Sequence, residues 1–205
     1  MSRCSRFRSR RVSRRAAPGI LVSYFAAVAI ASCDGTPGSE SSRHADWPDF
    51  LGGPDSSQFS PLDRIDRTNI GSLEQAWRYE FPGNGQSFGN PLVIGGRMYV
   101  PWSGGVIALD AASGRELWRH DAPGVYMRGL SSWLDERTEG RRLFYTLKDR
   151  LHAIDASDGS PVRGFGDAGS VDLKHGLDRD PARLHRIESQ SPGRVYGNLI
   201  ILGST

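Results

Sequence analysis

From Trp47 onward the apolar positions come in short runs separated by polar or glycine-containing breaks, with no sustained helical period. The runs are QAWRYEF (75–81), PLVIG (91–95), RMYVPW (97–102), VIALD (106–110) and ELWRH (116–120). They are rich in β-branched and aromatic residues, and Gly-Gly, Gly-Asn or Ser-Gly pairs punctuate them. The pattern predicts short strands joined by tight turns. Helical turns are expected only in SPLDRI (60–65) and in TNIGSLEQ (68–75), where Thr68 or Asn69 is placed to cap.

The runs repeat. RMYVPWSGGVIALDAASGRELW (97–118) aligns without a gap on RLFYTLKDRLHAIDASDGSPVR (142–163), 45 residues later. Met98 matches Leu143, Tyr99 Phe144, Ala108 Ala153, Asp110 Asp155 and Gly114 Gly159. A third start appears at YGNLIILGST (196–205). Strand-rich repeats of this length are expected to be propeller blades, four-stranded sheets that bury their faces against neighbouring blades. Two and a half blades do not close a ring, so the sequence reads as the N-terminal part of a longer protein. Within ALDAASGRELW, Gly114 is expected to make the turn between the two outer strands. Asp110 is placed to accept from turn amides, and Trp118 to fill the wedge between blades. In the second copy Arg163 stands where the tryptophan was, next to GFGDAGSVDL, read as an insertion over that wedge.

Charge divides the chain differently. The formal net charge is +3, but the first fifteen residues hold seven arginines and no acid, which leaves −4 for the rest. A mildly acidic body gives no footprint for nucleic acid. The arginines precede an apolar stretch, GILVSYFAAVAIAS, too short for a comfortable membrane span, as in an export signal. It ends in IASC, read as a lipobox with Cys33 as the lipid acceptor; an ordinary cleavage site beside a cysteine is the alternative. Residues 1–33 are thus expected to be a signal segment and 34–46 a polar tether. Residues 47–205 form the strand-rich body, held on the periplasmic side of a membrane by the lipid anchor. Cys4 and Cys33 are the only cysteines, and both lie in the leader, so no disulfide framework is expected.

The body also resembles a known family. ALDAASGRELW is similar to the tryptophan-docking motif of quinoprotein dehydrogenases, eight-bladed propellers that bind pyrroloquinoline quinone (PQQ). SQFSPLDRIDRTNIGSLEQAW (57–77) looks like that family's opening segment. NPLVIGGRMYV (90–100), RGLSSW (128–133) and FGDAGSVDL (165–173) have counterparts in order, the last two most like the glucose dehydrogenase branch. The resemblance implies an all-β propeller, of which this chain is the first two to three blades. It places Arg128 against a PQQ carboxylate, a suitable task for a fixed bidentate donor. It also places Thr146 at the cofactor's carboxylate edge, and Ser204 and Thr205 beside the quinone. Where many members have an acidic or amide contact, this chain has Phe88, with Gln86 the nearest substitute. The catalytic base and the Ca²⁺ ligands are expected beyond residue 205.

The resemblance further implies oxidation of a sugar or alcohol, glucose-like in the nearest branch, with electrons passing to membrane quinone or cytochrome c. The 205-residue piece alone is expected to be inactive. A rival reading is a lipoprotein propeller that shares the tryptophan repeat, binds no quinone and acts as a scaffold for outer-membrane assembly. A third is a quinoprotein fold that has lost its cofactor, which Phe88 keeps open. The five histidines are scattered, without metal-ligand spacing, and His152 reads as a structural strand residue, with a lining position as the alternative. DLKHGLDRDPARLHR (172–186) reads as a solvated insertion.

Overall fold

The computed structural model describes residues 46–184 and 187–203. The leader with Cys33, and Ser204 and Thr205, lie outside the described residues. Two four-stranded antiparallel sheets follow each other along the chain. The first contains β1 (Leu92–Ile94), β2 (Arg97–Trp102), β3 (Gly105–Asp110) and β4 (Glu116–Asp121). The second contains β5 (Ser131–Leu134), β6 (Arg141–Leu147), β7 (Arg150–Asp155) and β8 (Ser170–Asp172). A hairpin of β9 (Arg194–Tyr196) and β10 (Leu199–Ile201) opens a third. Each sheet is a meander with neighbours in sequence order, the arrangement of propeller blades.

From β2–β3 to β6–β7 the 45-residue offset preserves the face of each strand as well as its position. Tyr99, Val106 and Ala108 of the first blade point toward the second, where they meet Leu143, Tyr145 and Ile154 in one buried cluster. Their counterparts Phe144, Leu151 and Ala153 point away from the first blade and pack with Ile200 and Leu202 of the third. The period of two in side-chain direction makes this possible, because an ungapped repeat keeps each residue on its face.

Tryptophans lock the blades together. The Trp118 indole donates to the Ala156 carbonyl at 3.2 Å, and its ring covers Gly159. A Cβ at Gly159 would lie 2.6 Å from the indole, and its φ of +75° also favours glycine. The preceding junction is built alike: Trp77 donates to Ala111 at 3.1 Å and covers Gly114. In both turns an aspartate accepts from its own loop. Asp110 binds the Ser113 amide at 2.9 Å, and Asp155 the Ser157 amide at 2.7 Å.

Three sequence expectations change. SPLDRI forms no helical turn, only a bend at Arg64, while TNIGSLEQ contains a single 3₁₀ turn, Ile70–Ser72. Asn69 stands at its N-cap but makes no capping bond; Asp66 instead accepts from the Thr68 amide and hydroxyl and organises the turn. QAWRYEF is extended and alternates correctly, with Trp77, Tyr79 and Phe81 packed on the first blade and Arg78 and Glu80 exposed. It has no ladder among the described residues, so it is not a strand of either sheet.

The second blade also shows what replaced the tryptophan. Pro161 pairs with Ile154, as Glu116 does with Leu109, but His152 then pairs with Ser170. Six extra residues have entered the outer strand at Arg163. This excursion carries Phe165, which packs edge-on against Phe144 with ring centroids 5.4 Å apart. Trp118 holds the corresponding place against Tyr99, at 5.9 Å. The wedge is filled by a ring from the insertion. The segment after β8 is largely exposed around a 3₁₀ turn, Pro181–Arg183, as a solvated insertion should be.

Candidate functional site

The β2–β3 turn, the β4–β5 connection and the β6–β7 turn lie at one end of the sheets. Antiparallel order requires this within each blade, and the Tyr126 amide ties the blades there by donating to the Thr146 carbonyl at 3.2 Å. The β4–β5 connection carries Arg128, whose main chain is held from two sides. Its carbonyl accepts from the Asn90 amide at 3.1 Å. Gly89 lies so close that a Cβ there would stand 1.9 Å from the Met127 carbonyl oxygen. On the other side, a Cβ at Gly129 would collide with the Phe50 ring and Pro192. The Arg128 side chain, in contrast, is exposed and has no ion-pair partner among the described residues. A clamped backbone under a free guanidinium is a suitable anion donor.

Thr146 is in a different state. It is buried at the end of β6, and its hydroxyl donates to the Ser189 carbonyl at 2.6 Å. A hydroxyl has one proton, so Thr146 as placed offers a ligand only acceptor lone pairs. To serve a carboxylate it must rotate away from Ser189. It lines a narrow crevice with Tyr126, Gly129, Ser131, Gln190 and Gly193. The structure therefore brings Thr146 to the Arg128 connection through Tyr126 and Gly129, although the two residues are far apart in sequence. Phe88 is 75% exposed, directly before the glycine that packs on Arg128. It adds no donor there. Gln86 is exposed as well, with its backbone tied to Ser103.

Sequence reasoning missed a second polar group nearby. His120 of β4 shares a 2.8 Å hydrogen bond with the Tyr145 hydroxyl, and His152 of β7 stacks on the same ring at 4.9 Å, nearly parallel. Burial pushes the Tyr145 hydroxyl up to about 12. Burial also holds both imidazoles below the usual histidine value, helped at His152 by the charge of Arg150. The cluster lies in the seam between the blades, where His120, Tyr145 and His152 also line a half-open cavity. The missed signal was parity: Tyr145 and His152 are register partners on the face turned toward the first blade. Among the described residues no three His, Cys, Asp or Glu side chains gather as a metal site.

These blades and motifs match a described family. The PQQ family, the β-propeller domain of glucose/ethanol/alcohol dehydrogenases, matches residues 47–205. The chain belongs to this family. Among its relatives is the dehydrogenase subunit of the quinone alcohol dehydrogenase of Gluconobacter oxydans. The two are 35% identical over 130 residues, 57% of this chain and 16% of that one. The corresponding subunit of Gluconacetobacter polyoxogenes is 33% identical over 69% of this chain and 21% of its own length. The quinoprotein glucose dehydrogenase of Escherichia coli is 27% identical over 85% of this chain and 25% of its own. Among solved structures, the quinohemoprotein alcohol dehydrogenase ADHIIG of Pseudomonas putida HK5 superposes with a TM-score of 0.60. It is 24% identical, covers 79% of this chain and 23% of that one, and supports the shared fold. The chain thus spans a quarter or less of the length of these relatives.

Proposed function

We propose that this chain is the part of a PQQ-dependent dehydrogenase that holds one carboxylate edge of the cofactor, and that the whole protein oxidises a sugar or alcohol. The observation that carries this reading is Arg128: its peptide is clamped by Asn90, Gly89 and the Phe50–Pro192 contact, while its guanidinium has no ion-pair partner among the described residues. The donor chemistry fits PQQ, whose carboxylates require permanent, oriented positive charge. When bound, PQQ supplies two-electron acceptance from a hydroxyl-bearing carbon, with Ca²⁺ as the Lewis acid in this reading.

The residues of this chain bind and orient. Arg128 would bind the carboxylate through two N–H donors. Thr146 would accept or donate beside it once its proton leaves the Ser189 carbonyl, and Ser204 and Thr205 would contact the quinone side. Membrane quinone or cytochrome c as electron acceptor, and lipid anchoring through Cys33 on the periplasmic side, belong to the same proposal.

The test is a PQQ titration of the protein as its gene encodes it, followed by quenching of tryptophan fluorescence. Arg128→Ala should weaken binding about tenfold or more, as expected when a charge-assisted contact worth about 1.5–3 kcal/mol is lost. Equal affinity in the variant and the parent protein would overturn the assignment of Arg128.

A further inference from the structure

Residues 46–58 precede the blades and cross their first strands in order. Trp47 exchanges two backbone bonds with Val93 of β1, at 2.6 and 3.0 Å, and the Asp46 carboxylate accepts from the Gly95 amide. The Pro48 carbonyl accepts from the Ser132 hydroxyl of β5 at 2.8 Å. At β9 one Arg194 nitrogen donates to the Phe50 and Gly53 carbonyls, each at 2.9 Å, and the other bonds the Ser56 hydroxyl. One guanidinium thus takes carbonyls from both sides of the Leu51–Gly52 turn.

That turn needs holding. Leu51, Ser56 and Gln58 all have φ between 52° and 63°, a left-handed conformation unfavourable for residues with a Cβ. Three such residues in so short a segment do not persist by local preference; the surrounding bonds impose them. The result is a defined position for Phe50, whose ring rests on Gly129, the residue after Arg128.

We infer that residues 46–58 are a strap that sets the Arg128 connection, and that Arg194 is a positioning residue acting through it. The path runs from the Arg194 guanidinium to the Phe50 and Gly53 carbonyls, from the Phe50 ring to Gly129, and so to the peptide of Arg128. The assignment of Arg128 to a PQQ carboxylate is the reading given above, and the strap's effect on affinity rests on it. Its effect on the connection does not.

The test compares Arg194→Ala, Arg194→Lys and Phe50→Ala in the protein as its gene encodes it. Amide hydrogen exchange is measured without ligand, and PQQ affinity by titration. Arg194→Ala and Phe50→Ala should speed exchange in the peptide spanning residues 125–131 while β3 and β7 stay protected, and should weaken PQQ about tenfold, the usual effect of removing an outer support. Arg194→Lys, which keeps the charge but loses the fork, should fall between. Unchanged exchange over 125–131, or an equal rise in β3 and β7, overturns the strap as a positioning device. So does unchanged PQQ affinity in Arg194→Ala when Arg128→Ala has weakened it. If Arg128→Ala leaves PQQ affinity intact, the cofactor reading fails, and the exchange result still decides the strap.

Discussion

At the scale of single residues, Gly159 and Gly114 show what a glycine does at a blade junction. Gly159 combines a positive φ with an indole 2.6 Å from where a Cβ would stand, and Gly114 does the same beneath Trp77. Gly159→Ala should lower stability by about 2 kcal/mol or more, because backbone strain and overpacking act together. The urea midpoint measures this, and Gly176→Ala controls for strain alone, since φ there is also positive but nothing lies within 4 Å. Trp118→Ala removes the ring and its bond to Ala156 and should cost about 2–4 kcal/mol. At this scale the sequence was readable where a residue acts within its own turn, as Asp110 does. It was not readable for Thr146, because Ser189, which takes the hydroxyl's proton, lies 43 positions away.

At the scale of elements, the seam between the first two blades depends on two neutral imidazoles. His120 and His152 both have folded values below the unfolded one. The unfolded chain therefore binds more protons than the folded one as pH falls below about 6.5, and stability falls with it. This contribution is fully present above the unfolded value and is lost toward the lower folded values. Urea midpoints should drop between pH 7.5 and 5.5, and His152→Phe, which keeps a ring against Tyr145, should flatten that slope. An unchanged slope would rule His152 out as a source of the pH dependence.

The second blade's outer strand makes a related point. The sequence placed an insertion at Arg163, but periodicity alone could not say which of its residues would turn inward. Phe165→Ala should destabilise the blade by about 1–3 kcal/mol, since a partly buried ring leaves its contact with Phe144. Arg163→Ala, on an exposed side chain, should be close to neutral by the same measurement.

At the scale of the molecule, Trp77, Tyr79 and Phe81 cover the first blade as Trp118 covers the second, yet they come from a segment with no ladder among the described residues. The exposed apolar residues Phe59, Leu62, Ile65, Ile70 and Leu73 lie just before it. We propose that further blades of the whole propeller pair with this segment and that dehydrogenase activity requires them. The 205-residue chain by itself should then show no PQQ-dependent dye reduction. Activity above the dye-only rate would overturn this.

The sequence by itself determined the inner hairpins of the two blades: the positions of β2–β3 and β6–β7, their turn residues and the 45-residue offset between them. All of these follow from local rules, the alternation of side chains along a strand and the conformations that glycine and aspartate allow. Family membership was legible in words such as RGLSSW, which stand between the copies of the repeat in the family's order. Only the tertiary structure decided what meets across blades. Arg194 reaches residues more than 130 positions earlier. Phe50 lies under Gly129, and two histidines share one tyrosine. Side chains distant in the chain meet only after the sheets have stacked, and no spacing in the sequence encodes which of them will touch.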